Sequence, residues 1–171
     1  MPFLLKDFEQ RCAYSMRHVE CAGGERHMEV DHFDPTLRGA ARNDYSNLML
    51  ATRHCNNMKR DAWPTPAERQ QGYRLLNPTK EMDYGYHIFE DETTHELVGA
   101  TAAGQYHVDM LDLNHETFVW ERRERAKYIH LKTSAPALLS GSFEQLRDLV
   151  RFVGEQIDRL IPPIAAPPKK S

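Results

Sequence analysis

An α+β fold is what the amino-acid sequence predicts, and two observations carry that expectation. In the first 64 residues, short alternating runs flank a long polar loop and lead into a capped helix. From residue 65 to 161 apolar residues recur mainly at helical spacing, with one short hairpin signal among them. The chain therefore divides into a small core over residues 1–64, a mixed and mainly helical region over 65–161 that ends in an amphipathic helix, and a proline-rich tail over 162–171.

Within the core, Phe3 to Arg11 is expected to form a short helix and Cys12 to Met16 a short strand. Ala22-Gly23-Gly24-Glu25 is a turn that folds the chain back. His27 to His32 alternates as the returning strand, and Asp34-Pro35 ends it, because proline restricts the residue before it and donates no hydrogen bond. A polar loop carrying Gly39 runs to Ser46, and Asn47 to Leu50 is a second short strand. The Thr52 side chain can accept from a free first-turn amide, so a helix is expected from there to about Ala62, closed by Trp63-Pro64. The resulting order is strand, long loop, strand, helix.

Farther on, His87 to Phe89 and Glu96 to Val98 fit a hairpin around Asp91 to Thr94, and Phe118 to Leu131 fits a helix rich in Arg and Lys. Ser142 followed by Gln145 is a capping-box pattern. Phe143, Leu146, Leu149, Val150, Val153, Ile157 and Leu160 then form one apolar stripe, stopped by Pro162. Packing on its own domain is the default for such a stripe, with partner binding as the alternative. The tail IPPIAAPPKKS is expected to be disordered or extended.

Composition narrows the class of function. With 171 residues, 40% of them hydrophobic, the chain can bury one substantial core. No apolar run approaches the roughly 18 residues of a membrane span. The amino terminus MPFLLKDFEQ meets charge too early for a secretory signal, so a cytoplasmic protein without membrane contact is expected. Three irregularly spaced cysteines, Cys12, Cys21 and Cys55, argue against a disulfide framework. A net charge of -3 opposes non-specific binding of nucleic acid over the whole surface. Locally, however, residues 36–60 carry Arg38, Arg42, Arg53, Lys59 and Arg60 against Asp44 alone.

The same segment holds the residues that carry chemistry. Hydrolysis of a phosphodiester requires a base for water, a cation for the developing charge, and a group that orients the base. His32 can be the base, since an imidazole titrates near neutrality. Asp31 offers a hard anionic oxygen suited to magnesium or a similar ion, and Asn56 a neutral amide oxygen as second ligand. Adjacent strand residues point to opposite faces, so Asp31 and His32 share a site only where the pleat breaks near Pro35. Arg53, Lys59 and Arg60 lie within a turn of Asn56 and are the expected contacts to a phosphate backbone; a merely solvated face is the plainer reading. Cys55 and Met58 are expected to face the core, Asn47 to bond backbone across the long loop and so hold His32, and Glu29 to sit on the face of Asp31, joining the metal or, as the plainer reading, facing solvent.

These positions together resemble a known family. HMEVDHFDP, a loop, then SNLMLATRHCNNMKRD is similar, over roughly residues 10–62, to the HNH family of His-Me-finger, or ββα-metal, nucleases. The resemblance implies a ββα-metal core with His32 as general base, Asp31 and Asn56 as ligands of one divalent ion (Mg2+ or Mn2+), and Asn47 as the structural Asn. It implies an endonuclease acting on DNA, with RNA as the alternative substrate. Many relatives also hold a zinc ion with two Cys-x-x-Cys pairs, where this sequence has Cys12-x-x-Ser15 and Thr52-x-x-Cys55. Hydroxyls are poor zinc ligands, so no structural zinc is expected, with Cys21, His18 or His54 as the available substitutes. RLLNPTKEMDYGYHIF, LVGATAAG and LDLNHETFVWERR resemble the accessory region of bacterial HNH proteins, some of them antiphage-defence subunits that work beside an ATPase. The competing expectations are therefore a partner-dependent nuclease subunit and a non-catalytic nucleic-acid-binding module.

Overall fold

The computed structural model describes residues 1–81, 84–138 and 144–160. Ser142, Phe143 and the tail over 162–171 lie outside the described residues, and with them the expected capping box and extended end.

The amino-terminal core is built on a two-stranded antiparallel sheet, β1 (Met28–His32) and β2 (Leu48–Thr52), with Met28 opposite Thr52 and His32 opposite Leu48. Helix α2 (Arg53–Lys59) follows β2 directly. The Thr52 hydroxyl accepts from the Cys55 amide at 3.3 Å and so satisfies one free first-turn donor. Arg60, at φ 47, stops the helix. The loop between the strands contains two 3-10 turns, Gly39–Asn43 and Tyr45–Asn47. Gly23 and Gly24, both at φ 96, make the turn before β1, a left-handed backbone that favours glycine.

The expected elements differ at several places: α2 ends at Lys59 and not near Ala62, and β2 begins at Leu48, with Asn47 in the preceding turn. Helix α1 spans only Pro2–Asp7, because Glu9 and Gln10 turn to φ 50 and 58. Residues 12–16 form a turn instead of a strand, flanked by a bridge between Arg11 and His18 and tied to β2 by a backbone bond from the Ala13 amide to the Leu50 carbonyl at 2.7 Å. Cys12, Ala13 and Tyr14 are nonetheless buried beneath the sheet with Met49, Leu50 and Cys55. Burial of this segment is therefore secured by side chains and not by a sheet ladder.

Beyond α2 come α3 (Pro66–Gln70), held by a Thr65–Glu68 capping box, and α4 (Tyr84–His87). The hairpin β3 (Ile88–Glu90) and β4 (Leu97–Gly99) turns on Asp91, whose carboxylate accepts from the Thr93 and Thr94 amides. Helix α5 (Ala102–Met110) packs directly on this hairpin. A Cβ at Gly104 would stand 1.9 Å from the His87 carbonyl oxygen, and one at Gly99 would stand 2.1 Å from the Gln105 nitrogen. Only glycine permits that approach. Helices α6 (Glu116–Leu138) and α7 (Glu144–Leu160) pack together. One apolar cluster joins the two parts, running from Leu4, Met28 and Leu50 through Leu75 and Leu76 to Val108, Leu113 and Phe118. The fold is α+β, as expected from the patterning.

Candidate active site

Glu29 and Asp31 leave β1 on the same side, two residues apart, and both meet α2. Glu29 accepts from the Asn56 amide at 2.7 Å and from Arg53 at 2.9 Å. The Asn56 bond, opposed by partial burial and supported by Arg53, holds the Glu29 carboxyl below its ordinary range. Glu29 thus faces the helix, where the sequence reading had turned it to solvent.

Asp31 is buried and accepts from the Tyr14 hydroxyl. Lys59 Nζ lies 3.0 Å from each of its carboxylate oxygens and donates to the His32 carbonyl at 2.8 Å. Lys59 has no exposed surface, so the phosphate contact expected of it is overturned: the helix presents its ammonium inward. Cys55 and Lys59 are four residues apart and share the buried face, whereas Met58 is 44% exposed and not in the core. The physical reason is the Asp31 carboxylate, which supplies the counter-charge a buried ammonium requires. Arg53 and Arg60 remain at the surface, Arg53 bonded to Glu29 and to the Arg26 carbonyl, Arg60 to the Asn57 carbonyl.

His32 closes β1, and its ring turns to the loop, with Nε2 3.1 Å from Asn43 Oδ1. An amide oxygen only accepts, so Nε2 donates in this pair, which in the neutral ring leaves the lone pair on Nδ1. The ladder continues through His32 and Leu48, so the pleat is unbroken between Asp31 and His32. The carboxylate goes to α2 and the ring to the loop side, so the pleat break expected to bring Asp31 and His32 to one face is absent. Asn47 is buried and ties three backbone groups: it accepts from the Asp34 amide at 2.8 Å and donates to the Arg42 and Asp34 carbonyls at 3.0 and 3.3 Å. These bonds close the loop that begins immediately after His32.

These residues stand in three groups, Glu29–Asn56–Arg53, Tyr14–Asp31–Lys59 and His32–Asn43, the last two connected through the Lys59 bond to the His32 carbonyl. Tyr14, Glu29 and Asn43 were not selected from the sequence as site residues. Glu29 carried a signal, its two-residue offset from Asp31 on a strand; Tyr14 and Asn43 carried none. An open depression of about 490 Å³, lined by Phe33, Asn47, Trp63 and Lys80 among others, includes none of Asp31, His32 or Asn56.

The donors on the α2 side are oxygens, which suit a hard divalent ion. A carboxylate has roughly four acceptor sites. Tyr14 and Lys59 leave Asp31 with capacity for a further partner, and the Asn56 amide nitrogen is turned to Glu29, leaving its oxygen for another contact. Oxygen donors of this kind are those a hard divalent ion takes, and here Asp31 is held by Lys59 and Tyr14 and Asn56 by Glu29.

Beside this site, Cys12 and Cys55 are fully buried as free thiols. The Cys12 sulfur accepts from the Thr52 amide at 3.3 Å and the Ser15 amide at 3.5 Å. Burial alone would raise the Cys12 thiol, but bonds from Cys55, Ser15 and Thr52 outweigh it and bring it down. Donation to Cys12, with burial, pushes the Cys55 thiol well up.

Residues 10–62 match the family model described as HNH endonuclease. No curated protein and no solved structure matches the chain.

Proposed function

We propose, from the match of residues 10–62 to the family model described as HNH endonuclease, that this chain is a metal-dependent endonuclease of DNA with His32 as its general base. The observation that carries the reading is the His32 ring itself. Asn43 holds Nε2 as the donor, so the unprotonated Nδ1 is the atom that accepts a proton from water. Asn47 keeps the ring in place by clamping the loop to which Phe33 and Asp34 belong.

Asp31 and Asn56 would hold the divalent ion, and when bound it supplies charge neutralisation for the phosphate. The chain's own residues do the rest. Tyr14 and Lys59 fix the Asp31 carboxylate, and Glu29 fixes the Asn56 amide. Arg53 and Arg60, both exposed on or beside α2, offer positive charge to the flanking backbone. Lys59 takes part only through Asp31 and the His32 carbonyl.

The experiment is cleavage of plasmid DNA, single-stranded DNA and RNA by the purified chain and by His32→Ala, with EDTA, Mg2+ or Mn2+. Metal-dependent cleavage of DNA that His32→Ala abolishes is expected. Cleavage retained by the folded variant would remove His32 from the base role.

A second reading is favoured by the surface of α7, where Leu146, Phe152 and Val153 are exposed, and by the net charge of -3. On it, the chain is a nuclease subunit that requires a partner, such as an ATPase. Cleavage that appears only when the co-purified partner is present would select it over the free enzyme.

A further inference from the structure

We infer that His54, Asp112 and His115 form a binding site for a transition-metal ion of the zinc class, separate from the Asp31–Asn56 site and pinning α2 to the turn between α5 and α6. One ligand atom from each of the three residues lies within 4.8 Å of the others. His54 Nε2 is 3.1 Å from Asp112 Oδ2, yet it makes no properly directed hydrogen bond among the described residues. Two donors on one zinc ion stand about 3–3.5 Å apart, the spacing His54 and Asp112 already have, and His115, within 4.8 Å, closes in to complete the geometry. Two imidazoles and one carboxylate are ligands that zinc, cobalt and nickel accept readily. A fourth position is left for water, and all three residues are half-buried, reachable by an ion but partly withdrawn from bulk solvent.

The ligands come from parts of the chain far apart in sequence, and each part is held independently. His54 sits in the first turn of α2, behind the Thr52 cap. Asp112 takes φ 49, a left-handed conformation that Asp tolerates, and its carbonyl accepts from the His115 amide at 3.1 Å. Arg122 donates to the Leu113 carbonyl at 3.0 Å, and Asn114 is tied to both the Leu97 amide and carbonyl. The Phe118 ring, 5.0 Å from that of His54, walls one side. His115 Nδ1 accepts a long 3.3 Å bond from the Thr117 amide, which orients the ring and is weak enough to give way when the ring proton moves on metal binding. A plain His54–Asp112 ion pair explains neither the third residue nor the missing hydrogen bond.

Titration of the full chain with Co2+, read by its visible ligand-field absorption and by calorimetry, tests this. Expected is a tetrahedral-type spectrum at one equivalent that persists in Asn56→Ala and is lost in His54→Ala, His115→Ala and Asp112→Asn. The last substitution keeps a residue suited to the positive φ, and circular dichroism checks that each variant folds. Zn2+ should displace the Co2+ and raise the unfolding temperature of the parent chain but not of His115→Ala. Absence of such a spectrum, or a spectrum lost in Asn56→Ala and intact in His115→Ala, overturns the site. The readout needs no cleavage, so its failure and that of the nuclease reading are distinguishable.

Discussion

Lys59 Nζ stands 3.0 Å from both carboxylate oxygens of Asp31, with the lysine wholly buried and the aspartate nearly so. Two charges removed from water offset one another only while both are present. Replacing Lys59 by Ala strands the Asp31 carboxylate, and replacing Asp31 by Ala strands the ammonium. Each should cost about 3–5 kcal/mol in urea unfolding. The paired change Asp31→Ala with Lys59→Ala should cost less than the sum of the single changes. Additive losses would mean that the two groups do not depend on each other.

The Asn47 clamp should behave differently, because it joins neutral groups. Asn47→Ala leaves the Asp34 amide and the Asp34 and Arg42 carbonyls without their partner. Unpaired backbone groups cost about 1–3 kcal/mol when buried, and these, being part-buried, should fall at the low end of that range. Amide exchange should quicken over residues 33–43 while β2 and α2 keep their protection. Loss of protection throughout the core would show that Asn47 supports more than the loop.

How far this site was legible follows from the kind of signal each residue carried. The strand–loop–strand–helix order could be read because alternation, a proline break and a Thr cap are local features, and β1, β2 and α2 follow them closely. Asn47 could be read as a loop clamp because a polar residue at the start of an apolar strand needs backbone partners. Lys59 was misplaced because the rule that apolar residues point inward set Met58 against it, and only the three-dimensional position of Asp31 reverses that order. Tyr14 lies 17 residues before Asp31 across a turn with no strand periodicity, so no spacing linked them. Asp112 and His115 meet His54 only through the packing of α5 and α6, which no local pattern encodes.

If His32 is the base, Asn43 is its positioning residue. Asn43→Ala removes the acceptor for Nε2 and frees the ring to change both orientation and tautomer. The metal-dependent cleavage rate should fall by about 10–100-fold, by analogy with the loss of other groups that orient a functional histidine. Asn43→Asp, which keeps an acceptor oxygen and adds charge, should recover much of the rate and displace the pH–rate profile to higher pH, because a carboxylate favours the protonated ring. Equal rates in Asn43→Ala and the parent chain would separate Asn43 from the reaction.

His107 provides a pH dependence that belongs to the fold and not to the site. It is fully buried, its Nδ1 accepts from the Leu76 amide at 3.1 Å, and its ring meets Tyr14 edge-on at 6.0 Å. Burial, with a smaller contribution from Arg74, lowers its pKa from 6.5 to about 3. The folded chain therefore holds this ring neutral through a range in which the unfolded chain protonates it. Between pH 6.5 and about 3 the unfolded state binds more protons, so stability rises with pH across that window and falls as acid is added. The stabilising difference is complete above pH 6.5 and is lost on descending towards 3, at up to about 1.4 kcal/mol per pH unit. His107→Gln keeps a polar acceptor near Leu76 without a titrating ring. Urea unfolding of the two proteins at pH 7, 6 and 5 should show a slope in the parent that is shallower in the variant. Parallel pH dependence would place the acid sensitivity elsewhere, for example at His18, whose pKa is also lowered, first by burial and then by Arg11.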